Sequence, residues 1–436
     1  MIGLLMLAGL AYWLAVWRGR SQQGLPALSV VFAVGLLMRL LMWPTTPILE
    51  VDFNRYLWDG AVSAHGLHPY RYAPEQIGRH PEQVPPAYRQ LAREGAPVLA
   101  RINHAYLTSI YPPVTQLFFA LAHRLAPWKL AGWRAVLLAM DLLSFVLLVA
   151  LLRQLNRPPA WSLIYWWNPL LIKELFNSAH MEGLLFPFLL AALLALLRRR
   201  ENLALLLLAL ATGIKLWPAL LLPLFLRAWQ GRWGRRALQA AGFAALSLLL
   251  LWPLLGTPEQ ASGLANYTTR WELNDALFPW FVKSWAALLP HWGIHPGWAQ
   301  QWARVTVGIL VGLTALLVAV PPIHRPGQLV RRALVVVAVL FFLSPTQFPW
   351  YALWLLPLLV LEPVPALLLL TVTLPLYYGR YWLAARGLEG WFDAWGVWLE
   401  FGPVLLWLGY EWLSGRLGWL KRRGPAVPGL EVPDAQ

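Results

Sequence analysis

Long apolar runs separated by short polar connections are the feature that most restricts how this chain can fold. Of its 436 residues, 59% are hydrophobic and only 13% are charged, whereas soluble domains average about 25% charged residues. A helix needs about 20 apolar residues to cross a bilayer, because lipid offers an open backbone no hydrogen-bond partners. The runs therefore predict one integral-membrane domain, an all-α bundle of about 11 to 13 transmembrane helices.

The net charge of +15 is concentrated in short connections beside the apolar runs. The basic clusters are Arg18 with Arg20, and the segments 198–200, 227–236, 325–332 and 421–423. Cytoplasmic connections carry an excess of Lys and Arg, so we read these clusters as topology signals. The pattern predicts the lipid bilayer as a partner and no nucleic acid.

The same charges predict on which side of the membrane each connection lies. The run 2–17 lacks a basic segment before it and a small-residue cleavage site, so we expect a retained span and no signal peptide. The run 25–43 then leads outward into a long loop, 44–110, in which six acids balance six arginines. We expect this near-neutral loop on the outer face, with a second outer loop at 256–298 and a cytoplasmic tail at 414–436.

Four further stretches are not expected to form single full-length transmembrane helices. Residues 88–105 contain enough helix formers for an interfacial helix. One helix between 113 and 167 is expected to be incomplete or strongly tilted, and the sequence leaves open which one. Residues 168–182 are expected outside the membrane, and residues 203–226 form two short helices broken near Lys215.

The outer loop opens with V-D-F-N-R-Y-L-W-D-G, which we read as the start of a helix from 51 to 64. In a helix, Asp52, Tyr56 and Asp59 lie on one face, and Arg55 precedes Asp59 by four residues. From the residues alone, Asp52 is equally a helix cap or a catalytic base. Asp59 is favoured as the ion-pair partner of Arg55.

More ionisable groups fall near the same membrane face, where such groups indicate function or pairing. His180 and Glu182 have metal-ligand chemistry, but residues separated by one do not share a helix face, and no third ligand is in view. Hydrogen bonding to a hydroxyl-rich substrate is favoured instead. The chain has no cysteine, which excludes thiolate sites. We therefore predict no metal and no cofactor.

Lys215 lies in an apolar stretch, where a lysine must reach water or pair with an anion. A phosphate at the interface would supply that anion, and a carboxylate of the protein is the alternative. Arg270 is a similar candidate. Tyr351 belongs to F-P-W-Y, which either contacts substrate or forms part of an aromatic belt at the interface.

The motifs together resemble a known family. The run D-F-N-R-Y-L-W-D-G, followed by G-L-H-P-Y, resembles the first outer loop of the C-type glycosyltransferase superfamily. Four further stretches match in order: I-N-H with Y-P-P at 102–113, W-N-P-L with K-E at 167–174, K-L-W-P at 215–218 and P-W-Y at 349–351. The resemblance covers about residues 44–360, and the chain is most similar to bacterial polyprenol-phosphomannose-dependent mannosyltransferase-like proteins.

This resemblance implies an inverting glycosyltransferase of the bacterial inner (plasma) membrane with its active site on the extracytoplasmic face. The donor would be a polyprenyl-phosphate-linked hexose, with mannose favoured, and the acceptor a cell-envelope glycan or glycolipid. Asp52 aligns with the superfamily's general base. The residues expected to contact donor or acceptor are Arg55, Tyr56, Asp59, His104, Tyr111, His180, Glu182, Lys215, Arg270 and Tyr351.

Two departures from the family pattern affect these assignments. Relatives often read G-S-G-H-V-D where this chain has N-S-A-H-M-E, so Glu182 replaces an aspartate. His68 stands where G-x-N-P-Y has asparagine, which leaves the acceptor contacts open.

Two other classes of protein compete with an enzyme. A transporter or flippase of lipid-linked sugars requires paired broken helices related by an inverted repeat, and no repeat is visible in the sequence. A structural subunit of a larger complex would leave Asp52 dispensable.

Overall fold

The computed structural model describes residues 1–19, 26–228, 233–255 and 262–414, and this part of the chain is all-α. The only strand-like contact in these ranges is an isolated bridge between Leu273 and Thr346. The predicted cytoplasmic tail lies outside the described residues from 415 onward. The predicted all-α architecture is confirmed.

The α-helices of the first half of the chain are α1 (Ile2–Gly19), α2 (Leu28–Met42), α3 (Phe53–Ala64), α4 (Pro74–Arg79), α5 (Pro86–Glu94), α6 (Ala96–Leu99), α7 (Pro113–Leu125), α8 (Leu130–Gln154), α9 (Leu163–Trp166), α10 (Pro169–Ile172), α11 (Leu185–Leu197), α12 (Glu201–Thr212) and α13 (Leu222–Arg227). The second half contains α14 (Trp233–Leu255), α15 (Gly263–Arg270), α16 (Phe278–Leu288), α17 (Ala299–Leu317), α18 (Pro326–Leu343), α19 (Pro349–Ala352), α20 (Leu356–Leu361), α21 (Pro365–Thr373), α22 (Gly379–Ala384), α23 (Glu389–Trp391) and α24 (Val397–Leu413).

Shorter helical turns join several of these elements, because prolines interrupt the apolar runs. The 3₁₀ turns are Pro81–Gln83, Pro159–Ser162, Met181–Leu184, Trp217–Leu221, Leu289–Trp292, Pro296–Trp298 and Leu374–Tyr378. Two π-helical turns, Lys173–Asn177 and Phe392–Gly396, complete the set. Many predicted crossings are consequently broken into short helices.

In the described residues, three helices are long and apolar enough to cross a bilayer by themselves, namely α8, α14 and α18. A fourth span is possible if the segments Pro169–Asn177 and Met181–Leu197 count as one, although the chain bends by 101° between them. Several shorter apolar helices surround these spans. The protein thus has the helices of a membrane protein, and the number of 11 to 13 crossings stays a prediction.

The packing places α11 at the centre, between α8 and α12. On one side α2 contacts α9, and α21 packs against both α1 and α24. On the other side α16, α17 and α18 pack in sequence. Apolar side chains such as Leu249 and Trp252 of α14 remain exposed, as expected of a surface that faces lipid.

The segment 168–182 is buried inside the bundle as a bent hairpin, and its location outside the membrane stays a prediction. Asn168 caps α10 by accepting from the Leu171 amide at 3.0 Å. After the π turn the chain reverses and enters α11, and the residues from 170 to 187 are all buried. Burial is possible because Lys173 and Glu174 pair with each other.

The outer-loop helix α3 begins at Phe53, two residues after its predicted start, and ends at Ala64 as predicted. Gly66 follows it with a φ of +70°, the left-handed conformation that ends many helices. Gly60 allows α3 to contact α7 closely, because a Cβ there would lie 2.4 Å from the Phe119 carbonyl oxygen. This contact explains the glycine of the W-D-G motif.

The interfacial helix predicted at 88–105 is only partly formed. It is divided into α5 and α6, and the chain has no helix from 100 to 112. Gly95 separates the two helices, and the ring of Trp128 occupies the space where its side chain would lie. This tertiary contact could not be inferred from helix propensity.

The remaining expectations for broken helices agree with the structure. The break predicted near Lys215 is confirmed, because α12 ends at Thr212 and a 3₁₀ turn begins at Trp217. The incomplete helix between 113 and 167 is α7, with 13 residues, whereas α8 has 25. The described part of the second outer loop contains two helices that the sequence did not predict, α15 and α16.

Candidate active site

A cavity of about 420 Å³ lies where the first outer loop, the bent hairpin and the broken α12 segment meet. Its size is that of a typical small-molecule site. The helix α15 and the turn before α19 cover its other sides. Of the predicted site residues, eight line this cavity: Asp52, Arg55, Tyr56, His104, Tyr111, Glu182, Lys215 and Tyr351.

Asp52 occupies the N-cap position of α3, but its side chain makes no capping hydrogen bond. The Oδ1 atom instead accepts a hydrogen bond from Asn103 Nδ2 at 2.7 Å. The carboxylate is 22% exposed and belongs to the cavity lining. Geometry therefore excludes the cap as the role of this side chain.

Burial raises the pKa of the Asp52 carboxyl above its usual value, because removal from water disfavours the charged form. The hydrogen bond from Asn103 and the positive charges of His104, Lys215 and Arg55 oppose this shift. A carboxylate with a raised pKa binds a proton more strongly than one in water, which suits a general base.

Asn103 was not among the predicted site residues, although it holds the carboxylate of Asp52. Its position lies 51 residues beyond Asp52 in the chain, so no local spacing connects the two. Asn103 is the middle residue of the motif I-N-H, which could have identified it. From that motif, only His104 was assigned to the site.

Arg55 and Asp59 form the internal ion pair that their spacing predicts, with Nε and Oδ1 2.9 Å apart. Asp59 also accepts a hydrogen bond from Ser109 Oγ, and Gln116 contacts the same oxygen. Arg55 lines the cavity, whereas Asp59 lies behind it and does not. Asp59 therefore orients the guanidinium and is not placed to contact a substrate.

The hydrogen bonds of Arg55 leave one guanidinium nitrogen without a partner in the described residues. Its Nη1 donates to the Leu107 carbonyl oxygen at 3.0 Å. In the described part of the chain, Nη2 is buried without a hydrogen-bond partner. A buried donor without a partner is costly, so this atom indicates a site for an acceptor such as an anionic oxygen.

Lys215 lies in the gap between α12 and the following 3₁₀ turn, and its amino group enters the cavity. Nζ is 2.6 Å from Glu182 Oε1 and 4.0 Å from the centre of the Tyr351 ring. The lysine therefore has a carboxylate partner within the protein, which was the alternative to a phosphate. Within the described residues, the second oxygen of Glu182 has no hydrogen-bond partner.

Aromatic side chains form much of the wall. Tyr56 stacks on Phe119 at 4.9 Å and meets Tyr111 edge to face at 5.2 Å. The ring of His104 lies 4.8 Å from that of Trp271. His104 has a φ of +47°, a conformation that costs energy for a residue with a side chain.

His180 is not in the cavity wall, although it was predicted to contact substrate. It is fully buried behind Asp52, with its ring stacked on Trp350 at 3.9 Å between centres. The structure also places Arg270 away from the cavity, exposed at the end of α15. From the same helix, Tyr267 lines the cavity, and its hydroxyl lies 3.2 Å from that of Tyr351.

Glu50 is a third carboxyl of the cavity wall, beside Asp52 and Glu182, and the predicted site omitted it. It accepts a hydrogen bond from Tyr381 at 3.0 Å. Burial, followed by the charges of Asp52 and Glu174, raises the pKa of Glu50 to about 8. The raised pKa favours the protonated form of Glu50, which can donate a hydrogen bond to a ligand.

No three His, Asp or Glu side chains of the described ranges converge in an arrangement suited to a metal ion. The expectation of no metal remains a prediction.

Comparison with known proteins gives one match. The family model for glycosyltransferase family 87 matches residues 110–345, which is more than half of the chain. This region includes His180, Glu182 and Lys215, whereas Asp52 and Arg55 precede it. No curated protein and no solved structure matches the chain.

Proposed function

The chain belongs to glycosyltransferase family 87, and from that membership we propose that its cavity transfers a hexose from a polyprenyl-phosphate donor. The acceptor is a hydroxyl of a cell-envelope glycan or glycolipid on the extracytoplasmic face of the bacterial plasma membrane. The resemblance of the outer-loop motifs favours mannose as the hexose. The observation that carries the proposal is the Asp52 carboxylate, which lines the cavity and does not cap α3.

Asp52 acts as the general base in this proposal. A sugar hydroxyl is a weak nucleophile, so a carboxylate must take its proton while its oxygen attacks. The new bond forms to the anomeric carbon as the bond from that carbon to the phosphate oxygen breaks. The phosphate leaves with the electron pair, and this single displacement inverts the anomeric centre.

Arg55 and Lys215 are the cations proposed to bind the donor phosphate. Charge develops on the phosphate as it leaves, and fixed cations in a site of low polarity stabilise it. The free Nη2 atom of Arg55 supports this role. Lys215 can add its charge while Glu182 holds its amino group in place.

Transport of lipid-linked sugars is the second candidate, because one observation favours it. Two broken helices, at 178–180 and 213–216, meet beside the cavity with ionisable side chains, as in many transporter sites. Family membership favours transfer. A transporter would move the labelled donor across the membrane without forming a new glycosidic bond.

The decisive experiment uses membranes containing the full chain, a polyprenyl-phosphate donor with radiolabelled mannose, and a lipid extract of the cell envelope as acceptor. We expect Asp52→Asn to lower the transfer rate roughly 10²- to 10⁴-fold, the usual contribution of a general base. Binding of the labelled donor should persist, because the amide keeps the shape of the carboxylate.

Glu82→Gln is the matched control, since Glu82 is an exposed acid of the same outer loop, away from the cavity. This variant should transfer sugar at the wild-type rate. Full activity in Asp52→Asn would exclude Asp52 as the base. Donor movement without a new glycan product would favour the transporter.

A further inference from the structure

His180 lies between two carboxylates, and the mechanism above does not use it. Its Nδ1 atom is 3.9 Å from Asp52 Oδ2 and its Nε2 atom is 3.5 Å from Glu174 Oε2. The ring is fully buried. Within the described residues, neither ring nitrogen has a hydrogen-bond partner.

The surrounding structure fixes the orientation of this ring. Trp350 covers one face with an angle of 17° between the planes, and Phe348 stacks behind Trp350. The backbone amide of His180 donates to the Glu174 carbonyl oxygen at 2.9 Å. Ala179 before it adopts a φ of +60°, and its carbonyl oxygen accepts from Trp133 Nε1 at 2.7 Å.

Glu174 is anchored as well. Tyr378 donates its hydroxyl hydrogen to Oε1 of Glu174, and Lys173 Nζ lies 3.3 Å from the same oxygen. These two partners hold the carboxylate as an acceptor that faces the imidazole ring. The geometry is therefore a row of three groups: Glu174, His180 and Asp52.

The number of protons in this row leads to the inference. A neutral imidazole has one N–H group and one nitrogen that accepts. An ionised carboxylate only accepts, and the oxygens of Glu174 and Asp52 that are nearest to the ring lie on opposite sides of it. Lys173 and Lys215 are the cations close to the ring, and they oppose a second proton on it. A neutral ring can therefore donate to only one of the two carboxylates, and while Asp52 is ionised the other carboxylate faces a nitrogen without a proton.

We propose that His180 and Glu174 are positioning residues that act through Asp52. In this proposal the His180 proton is on Nε2, because that nitrogen is nearer to a carboxylate, 3.5 Å from Glu174 against 3.9 Å for Nδ1 and Asp52. The lone pair of Nδ1 then faces Asp52. When Asp52 takes the proton of the acceptor hydroxyl, a shift of its side chain by about 1 Å brings it within hydrogen-bond distance of Nδ1 and lets it donate that proton. This inference rests on the proposed function, because it requires Asp52 to be the base.

The reaction adds one proton to the row and later removes it. The acceptor hydroxyl loses its proton to Asp52 as the acceptor oxygen bonds to the anomeric carbon. Asp52 releases the proton to water when the product has left, since its side chain is 22% exposed. A neutral hydrogen-bond acceptor beside the acid form raises the pKa of Asp52 and makes it a stronger base.

His180→Phe is the test, because phenylalanine keeps a ring to stack on Trp350 and removes both nitrogens. We expect the kcat of transfer to fall roughly 10- to 100-fold, with KM for the donor unchanged. The rate of the wild type rises with pH as Asp52 ionises. This rise is the acidic limb of the pH profile. In the variant the limb should move to lower pH, because the protonated form of Asp52 can no longer donate a hydrogen bond to Nδ1 of His180.

Glu174→Gln supplies a second variant with little change in shape. Its amide can donate to Nε2, which turns the Nδ1–H toward Asp52 and stabilises the carboxylate, so the limb should again move to lower pH. His123→Phe is the matched control: His123 is buried, with an unpartnered Nδ1 within the described residues, but it lies outside the cavity. Its rate and pH profile should equal those of the wild type.

The outcomes separate this inference from the proposed function. Wild-type kcat and pH profile in both His180→Phe and Glu174→Gln, with Asp52→Asn inactive, would overturn the positioning role alone. Activity in Asp52→Asn would overturn both. Thermal unfolding and donor binding of each purified variant establish that the site is folded, and a fall in kcat without a shifted limb would indicate a structural role only.

Discussion

Asp52 and Asp59 are chemically identical side chains on one helix, and their partners give them different roles. Asp59 lies one turn from Arg55 and pairs with it, which the spacing alone predicts. Asp52 receives its hydrogen bond from Asn103 in a distant part of the loop. The cap and the base were equal alternatives for Asp52 until its side chain could be seen to turn away from the helix.

The backbone conformation of Ala179 is a second feature that the sequence did not predict. Its φ of +60° is a conformation in which a side chain costs about 1 kcal/mol, and glycine avoids that cost. The motif G-S-G-H-V-D, which the segment 177–182 resembles, has glycine at this position, and the positive φ gives a physical reason for it.

We expect Ala179→Gly to leave the free energy of unfolding nearly unchanged, because relief of strain offsets the greater entropy of unfolded glycine. Tryptophan fluorescence during heating of the detergent-solubilised protein measures this. Ala191→Gly is the matched control, since Ala191 lies within α11, and it should cost about 1 kcal/mol. An equal loss in both variants would show that Ala179 is not strained.

At the scale of helices, a buried ion pair joins α2 to α8. Arg39 Nε contacts Asp141, and both side chains are inaccessible to solvent. The guanidinium also stacks on Trp166 at 3.5 Å, and Tyr165 donates to Asp141 at 2.6 Å. The sequence contains a single arginine within the apolar run of α2, but its partner lies 102 residues away.

Replacing one partner of this pair should be severe, because the other charge remains buried and alone. We expect Asp141→Asn to lower the free energy of unfolding by about 3–5 kcal/mol, measured by thermal unfolding in detergent. Asp393→Asn breaks the partly exposed pair with Arg380 and should cost about 1 kcal/mol or less. Equal losses would show that the buried pair of Arg39 and Asp141 contributes no more to stability than an exposed one.

At the scale of the whole molecule, the sidedness of the membrane topology depends on charge distribution. The near-neutral loop 44–110 supplies Asp52, Arg55 and His104 to the cavity. The arginine cluster 198–200 lies at the other end of α11, away from that cavity. This separation is what the positive-inside rule predicts for an outer active site.

Because the chain has no cysteine, single cysteines can report the topology directly. We expect a membrane-impermeant maleimide to label Glu82→Cys in intact spheroplasts, since Glu82 is exposed in the outer loop. Arg200→Cys, exposed at the start of α12, should react only after the membrane is permeabilised. The opposite labelling would place the cavity on the cytoplasmic face.

The sequence by itself determined the all-α class, the membrane setting and the helix break near Lys215. These properties depend on local patterns: apolar runs, prolines and residues four apart on one helix. The pair of Arg55 with Asp59 and the gap around Lys215 follow from such patterns. The C-type motifs added Asp52 as a candidate base.

Tertiary structure alone decided which side chains meet. It buried the segment 168–182 among the other helices, where Lys173 and Glu174 pair with each other. It also placed His180 behind Asp52 and Arg270 outside the cavity. Contacts between residues far apart in the chain depend on the packing of many helices at once, and no local spacing encodes them.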